Sequence, residues 1–235
     1  MLMFDPMFFL FIAPAFLLAM YAQWKVKSAY AQMSQVRASM TGYEAARRVL
    51  DAGGLQNVDI EQVPGHLSDH YDPRAKVLRL SPEVYRGSSM ASVGIAAHEA
   101  GHALQDARNY APLVIRNLAV PAANFGSSIG TILLMVGMVM VISTGASVLG
   151  KWVFLAGIVA FGATVAFQLI NLPVEFDASA RAKTQLVNLG IVSGADLHYV
   201  SKVLNAAALT YVAATLQAVL TLLYYVMRYM QATRD

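Results

Sequence analysis

Residues Ala96–Gln105 read AAHEAGHALQ. His98 and His102 stand four residues apart with Glu99 between them, in a chain that holds only five His and five Glu among 235 residues. On a helix, positions i and i+4 project from one face, so this stretch places the two imidazoles side by side. Glu99 lies about 100° round the helix from His98, beside the pair but out of line with it. Ala100 and Gly101 carry almost no side chain, which leaves space for a neighbouring element to approach.

The rest of the chain is too apolar for a soluble domain. Hydrophobic residues make up 57% and charged residues 13%, against about 45–50% and 25% in soluble domains. Lipid is therefore expected to solvate part of it. With no cysteine present, a disulfide framework and a thiolate metal site are both excluded. The net charge of +3 forms no basic stripe, so no nucleic-acid partner is expected.

Four uncharged apolar runs cover residues 6–23, 120–142, 152–170 and 206–227. Each approaches the ~20 residues of a spanning helix, and Tyr21, Trp24, Trp152, Tyr224 and Tyr225 lie at their ends as interfacial aromatics do. In the first run the basic residues Lys25 and Lys27 follow the apolar stretch, which reads as a retained anchor and not a cleaved signal. Lys25, Lys27, Arg37, Arg108, Arg116, Arg181, Lys183 and Lys202 fall in residues 24–119 and 171–205, whereas the turn Ser143 to Lys151 holds one Lys. The positive-inside rule then puts both basic segments in the cytoplasm and both termini outside. The expected location is a membrane that the chain crosses several times. Residues 120–142 and 152–170 form a hairpin that returns the segment after it to the side carrying HEAGH.

Within residues 24–119, Thr41 and Glu44 make a capping box, and the helix they open should stop at Gly53-Gly54. Val58 with Ile60, and Leu78 with Leu80, alternate with polar neighbours and predict a hairpin of two strands around the turn-rich HLSDHYDPR. Lys76 to Leu80 is then expected as an edge strand able to pair with a substrate backbone. Pro82 opens a short helix, and Ser88 or Ser89 caps the helix that carries HEAGH to about Asn109.

HExxH arises by chance about 0.002 times per shuffled chain of this composition. His98 and His102 suit a metal at about 2.0–2.1 Å, and a catalytic site needs a third protein ligand and an open position. Glu99 is placed to take a proton from water that the metal activates. After the third run comes NLPVEFDASARAK, in which Glu175, Asp177, Arg181 and Lys183 mark an exit from the hydrocarbon. Pro173 can open a new helix there, with Glu175, Ala178, Ser179 and Ala182 on one face, close against Ala100 and Gly101. Glu175 is the expected third ligand; the competing reading is a solvated carboxylate at a helix N-terminus. Asp177 and Arg181 should pair on another face. Asp106 either supports a histidine or is solvated. His66, Asp69, His70 and Asp72 form a second cluster that would bind a metal itself, supply a transition-state donor together with Tyr71, or be only a polar turn. His198 stands alone and reads as structural or exposed.

GHLSDHYDPRAKVLRLSPEVYRGSSMASVGIAAHEAGHALQ and LPVEFDASARA resemble the neutral zinc metallopeptidase family of bacterial membrane proteins. The likeness covers Thr41 to Gln105 and Leu172 to Lys183 and extends to the four-span layout. It implies a membrane zinc peptidase with one Zn2+ per chain, His98, His102 and Glu175 as ligands, and Glu99 as base. A more distant likeness connects the chain to CAAX prenyl proteases and heat-shock membrane metalloproteases. In those, an Asp follows the ligand Glu by four residues; here Ser179 holds that position, and its hydroxyl bonds a ligating histidine more weakly than a carboxylate would.

The expected fold is therefore a mainly α membrane protein of about four transmembrane helices with a small α+β zincin-like cytoplasmic domain. The expected function is zinc-dependent endopeptidase action on membrane or unfolded proteins, with the bilayer, a protein or peptide substrate, and a membrane-protein partner or second copy of the chain as partners. Two other readings stand beside it. One is a non-catalytic zinc-binding membrane scaffold, which has no use for Glu99 beside a ligand. The other is an intramembrane-cleaving protease of site-2 type, against which Arg86, Asp106 and Arg108 bracket the HEAGH helix. No run contains an ionisable residue, which argues against a transporter.

Overall fold

The computed structural model of the protein describes residues 5–143 and 147–234. Its elements divide between a polar unit, Ala22–Val114 with Leu172–Thr210, and an apolar unit, Met1–Tyr21, Ile115–Asn171 and Tyr211–Asp235.

In the polar unit, Thr41 and Glu44 open helix α2 (Gly42–Ala52) with a reciprocal capping box: the Glu44 amide donates to Thr41 Oγ1 at 3.2 Å, and the Thr41 amide donates to the Glu44 carboxylate at 2.7 Å. The helix stops at Gly53, and Gly54 takes a φ of 77° that other residues adopt at a cost. Three short strands follow: β1 (Asp59–Gln62), β2 (His70–Asp72) and β3 (Val77–Leu80). Pro82 begins α3 (Pro82–Arg86), and Ser89 caps α4 (Met90–Ala107) by accepting from the Ser92 amide. Leu50 from α2, Leu78 and Leu80 from β3, and Val93, Ala97 and Leu104 from α4 form one core with Ala182, Leu186 and Val200. Each large side chain buried this way contributes about 1.5–3 kcal/mol, so α4 is fixed from several sides.

The sheet departs from the two-strand hairpin that the sequence predicts. Its order is β1-β3-β2, with β1 parallel to β3 (Asp59 opposite Val77) and β2 antiparallel to it (His70 opposite Arg79). The polar segment read as a turn supplies β2 itself, because Arg79 on β3 reaches Asp72 at 2.8 Å across the pair. That guanidinium, with the Ala75 and Arg74 amides, holds the Asp72 carboxyl down to about 2. Lys76 to Leu80 is consequently not an edge strand: β3 is central, with Val77, Leu78 and Leu80 buried.

The helices also overrun the limits set by hydropathy. Helix α1 spans Pro6–Met33, because residues 22–33 contain no glycine or proline to end it. The second run begins earlier than expected, as α5 (Ala111–Phe125), a π-helical turn (Gly126–Gly130) and α6 (Thr131–Ser143). Of the turn expected between the second and third runs, residues 144–146 lie outside the described residues. Helix α7 (Val148–Asn188) passes straight through Pro173, where a new helix was expected. An interior proline costs about 3 kcal/mol; burial of Val174 and Ala178, both 0% exposed, offsets it. Helix α8 covers Leu197–Arg234. Four segments, Pro6–Met33, Ala111–Ser143, Val148–Asn188 and Leu197–Thr233, are long and apolar enough to cross a membrane.

Within the apolar unit, α6 and α7 meet backbone to backbone. A Cβ on Gly137 would lie 2.4 Å from Phe154 Cα, and one on Gly157 would lie 2.5 Å from the Leu134 nitrogen. Small residues permit such close crossing where apolar lipid offers no hydrophobic driving force between helices. Gly137→Ala is expected to destabilise this unit by about 1–3 kcal/mol through overpacking. Gly162→Ala, whose Cβ would meet nothing within 4 Å, should leave the detergent melting temperature unchanged or slightly higher.

Candidate metal centre

Helix α4 presents His98, Glu99 and His102, and α7 presents Glu175 and Ser179. The two helices approach where Gly101 faces α7: a Cβ there would sit 2.6 Å from the Ala178 carbonyl oxygen. This contact brings Glu175, only 4% exposed, onto the histidine pair. Its Oε2 lies 3.3 Å from His98 Nε2 and 3.6 Å from His102 Nε2. Ligand atoms of the three residues all fall within 4.8 Å of one another, and no other such group of three or more occurs among the described residues.

The outer ring nitrogens are already engaged. His98 Nδ1 is 3.1 Å from Ser179 Oγ, and His102 Nδ1 is 3.0 Å from Gln105 Oε1. Both Nε2 atoms therefore face the carboxylate, while Glu175 Oε2 is buried without a hydrogen-bond partner. An unpaired buried carboxylate oxygen is costly. A divalent cation between these three atoms would satisfy all of them, and a His₂Glu set with one open position suits zinc. Burial pushes the His102 imidazole down, but the carboxylates of Glu175 and Glu99 outweigh it and hold the ring above its ordinary 6.5.

The remaining predicted residues are placed as follows. Asp106 touches neither histidine; its carboxylate accepts from the Tyr71 hydroxyl at 2.7 Å and from Lys76 Nζ. Burial and that carboxylate push the Tyr71 hydroxyl well above its ordinary value, so its proton is committed to Asp106. The second cluster does not assemble as a metal site. His66 is exposed and packs edge-on against Tyr30, His70 Nδ1 is 2.9 Å from the Ser68 carbonyl, and Asp72 pairs with Arg79. Asp69 accepts from the Ser81 amide and hydroxyl at 2.8 and 3.1 Å. Burial pushes its carboxyl up against those bonds, and the Glu99 charge adds to the push. His198 is exposed, with Nδ1 2.7 Å from the Ala195 carbonyl.

Gln105, three residues after His102 and fully buried, was missed by the sequence reading. The i, i+3 spacing on α4 was the available signal, but a glutamine carries no charge to draw notice. Asp177 pairs with Arg181 as expected and also accepts from Gln105 Nε2 at 2.8 Å.

A family model matches residues 8–230, nearly the whole chain, and its family is described as "Putative neutral zinc metallopeptidase". The chain belongs to this family. It is also 46% identical over 224 residues, covering 94% of this chain and 96% of the relative, to a protein of Bacillus subtilis (strain 168) named "Putative membrane protease YugP". No solved structure matches the chain. Membership of a zinc metallopeptidase family agrees with the donor set of the centre, and the four apolar helices fit a multi-pass membrane protein.

Two outcomes are expected from this geometry. Gly101→Ala pushes α4 off the Ala178 carbonyl and should weaken zinc binding on the order of tenfold or more, read by competition with a chromophoric chelator. Because a ligating histidine must be neutral and the neighbouring carboxylates favour the protonated His102 ring, zinc must displace that proton and its affinity should climb with pH. An affinity flat from about pH 6 to 8 would contradict the assignment of His102 as a ligand.

Proposed function

We propose that this protein is an integral membrane zinc metalloendopeptidase that hydrolyses peptide bonds of membrane proteins or unfolded segments. It holds one zinc per chain through His98, His102 and Glu175, and its polar unit is a zincin-like domain on the cytoplasmic face. The observation that carries the reading is the buried Glu175 Oε2, which faces two histidine nitrogens and has no hydrogen-bond partner.

Bound zinc supplies Lewis acidity, lowering the pKa of water towards about 7 and polarising a carbonyl. Glu99 does the proton work. Its carboxylate, half-buried on α4 beside His98, takes a proton from the attacking water and returns it to the leaving amine. Such general acid–base catalysis is worth about 10²–10⁴ in rate. Ser179 and Gln105 hold the outer nitrogens of the two histidines, so the rings enter the reaction already oriented.

Detergent-purified wild type is expected to carry about one zinc per chain by mass spectrometry, and Glu175→Ala to lose most of it. Glu99→Gln should retain the metal and cleave an unfolded polypeptide about 10²–10⁴-fold more slowly. Full zinc in Glu175→Ala, or wild-type cleavage by Glu99→Gln, would sink the respective role.

A further inference from the structure

The two histidines of the centre are held in different ways. His98 Nδ1 meets the Ser179 hydroxyl, which donates or accepts equally well. His102 Nδ1 meets the Gln105 side-chain amide, and an amide presents an acceptor at one end and donors only at the other. The orientation of that amide therefore decides which form of His102 is stable.

The far end of Gln105 is set by α7. Its Nε2 lies 2.8 Å from the Val174 carbonyl oxygen and 2.8 Å from Asp177 Oδ2. Both partners are acceptors only, so the NH₂ group must face them. Turning the amide over would set its oxygen against a carbonyl and a carboxylate in a fully buried position, where unpaired polar groups are costly. Asp177 is itself held by Arg181 one helical turn on, and the Arg181 guanidinium lies 5.5 Å from the centre of the Tyr110 ring. With the NH₂ pinned, Oε1 is left to face His102 and can only accept. His102 must then carry its proton on Nδ1, which leaves the Nε2 lone pair directed at Glu175.

We infer that Gln105, clamped by the Val174 carbonyl and Asp177, is the positioning residue that locks His102 in its metal-binding tautomer. Helix α7 thus acts on the centre through Glu175, through Ser179 at His98, and through the Gln105 amide that orients His102. Asp177 exerts its effect on the metal through Gln105 and touches no ligand itself. The inference rests on the zinc-site reading above.

The test uses full-length detergent-solubilised protein with zinc or cobalt(II) alone as the probe. Gln105→Met keeps the side-chain volume and removes both hydrogen-bonding ends. It is expected to weaken zinc binding about 10–100-fold by chelator competition and to alter the visible d–d bands of the cobalt-loaded protein, which report ligand geometry. Asp177→Ala should weaken zinc binding less and should add nothing further in the Gln105→Met background, because the two act in series. A role confined to packing would lower the melting temperature of the zinc-free protein and leave the cobalt bands unchanged. Zinc affinity within twofold of wild type in Gln105→Met, unchanged cobalt bands, or an Asp177→Ala effect of equal size in both backgrounds would overturn the inference. Should Gln105→Met fail to fold, Asp177→Ala alone decides, since unchanged affinity and bands there sink the clamp. A wild type that takes up no zinc would overturn the metal-site reading and this inference together, whereas zinc-binding wild type with an indifferent Gln105→Met overturns only the latter.

Discussion

A carboxylate oxygen buried beside two imidazole nitrogens, with no hydrogen-bond partner, is the constraint on which the rest of this structure depends. Glu175 reaches that place only because α4 and α7 touch at main-chain distance, and they touch only because Gly101 faces the Ala178 carbonyl. The small residues along α4 therefore serve chemistry as much as packing. A methyl added at Gly101 would meet the Ala178 carbonyl oxygen at 2.6 Å, one helical turn from Glu175. The core of the polar unit, with Leu50, Leu78, Leu104 and Leu186 buried round the same two helices, keeps the seam closed against the repulsion of grouped acceptors.

Polar order spreads outward from this point in an uneven way. On the His102 side, Gln105, Asp177 and Arg181 form a chain of bonds with fixed donors and acceptors. On the His98 side there is a single hydroxyl. Tyr71, Lys76 and Asp106 make a separate knot that ties β2 to the end of α4 and leaves the histidines alone. Two acidic groups near the centre thus have structural duties, and Glu99 remains the carboxylate on α4 next to a candidate ligand and free of such a bond partner among the hydrogen bonds described.

Much of this was legible in the sequence because it depends on local spacing. The i, i+4 histidines, the Thr41–Glu44 box, the Gly53–Gly54 stop and the Asp177–Arg181 pair follow from helix geometry alone. The shared face of Glu175, Ala178 and Ser179 could be read the same way. What stayed hidden depends on partners far along the chain. Whether Leu78 and Leu80 lie in a central or an edge strand is decided by β1 and β2 together, and alternation along one strand reports only that one face is buried. Pro173 reads as a helix start because its cost is local, while the burial of Val174 and Ala178 that offsets it is tertiary. Gln105 lacked any signal of charge, and its role appears only once the Val174 carbonyl and Asp177 are beside it. Helix ends likewise escaped hydropathy, since α1 continues through polar residues that form helix as readily as apolar ones.

The order of ligands along α4 and α7 also bears on how the protein is made. Two of the candidate ligands belong to a segment synthesised early, and the third follows only after the apolar stretches of α5, α6 and the first half of α7 have been completed. Until then the nascent chain holds the histidine pair without the carboxylate that faces it. Completion of the candidate centre is therefore a late event that follows synthesis of the apolar hairpin. A chain stalled at that hairpin has no Glu175 to set against the histidine pair, so the candidate centre stays incomplete in molecules whose synthesis has not passed that point.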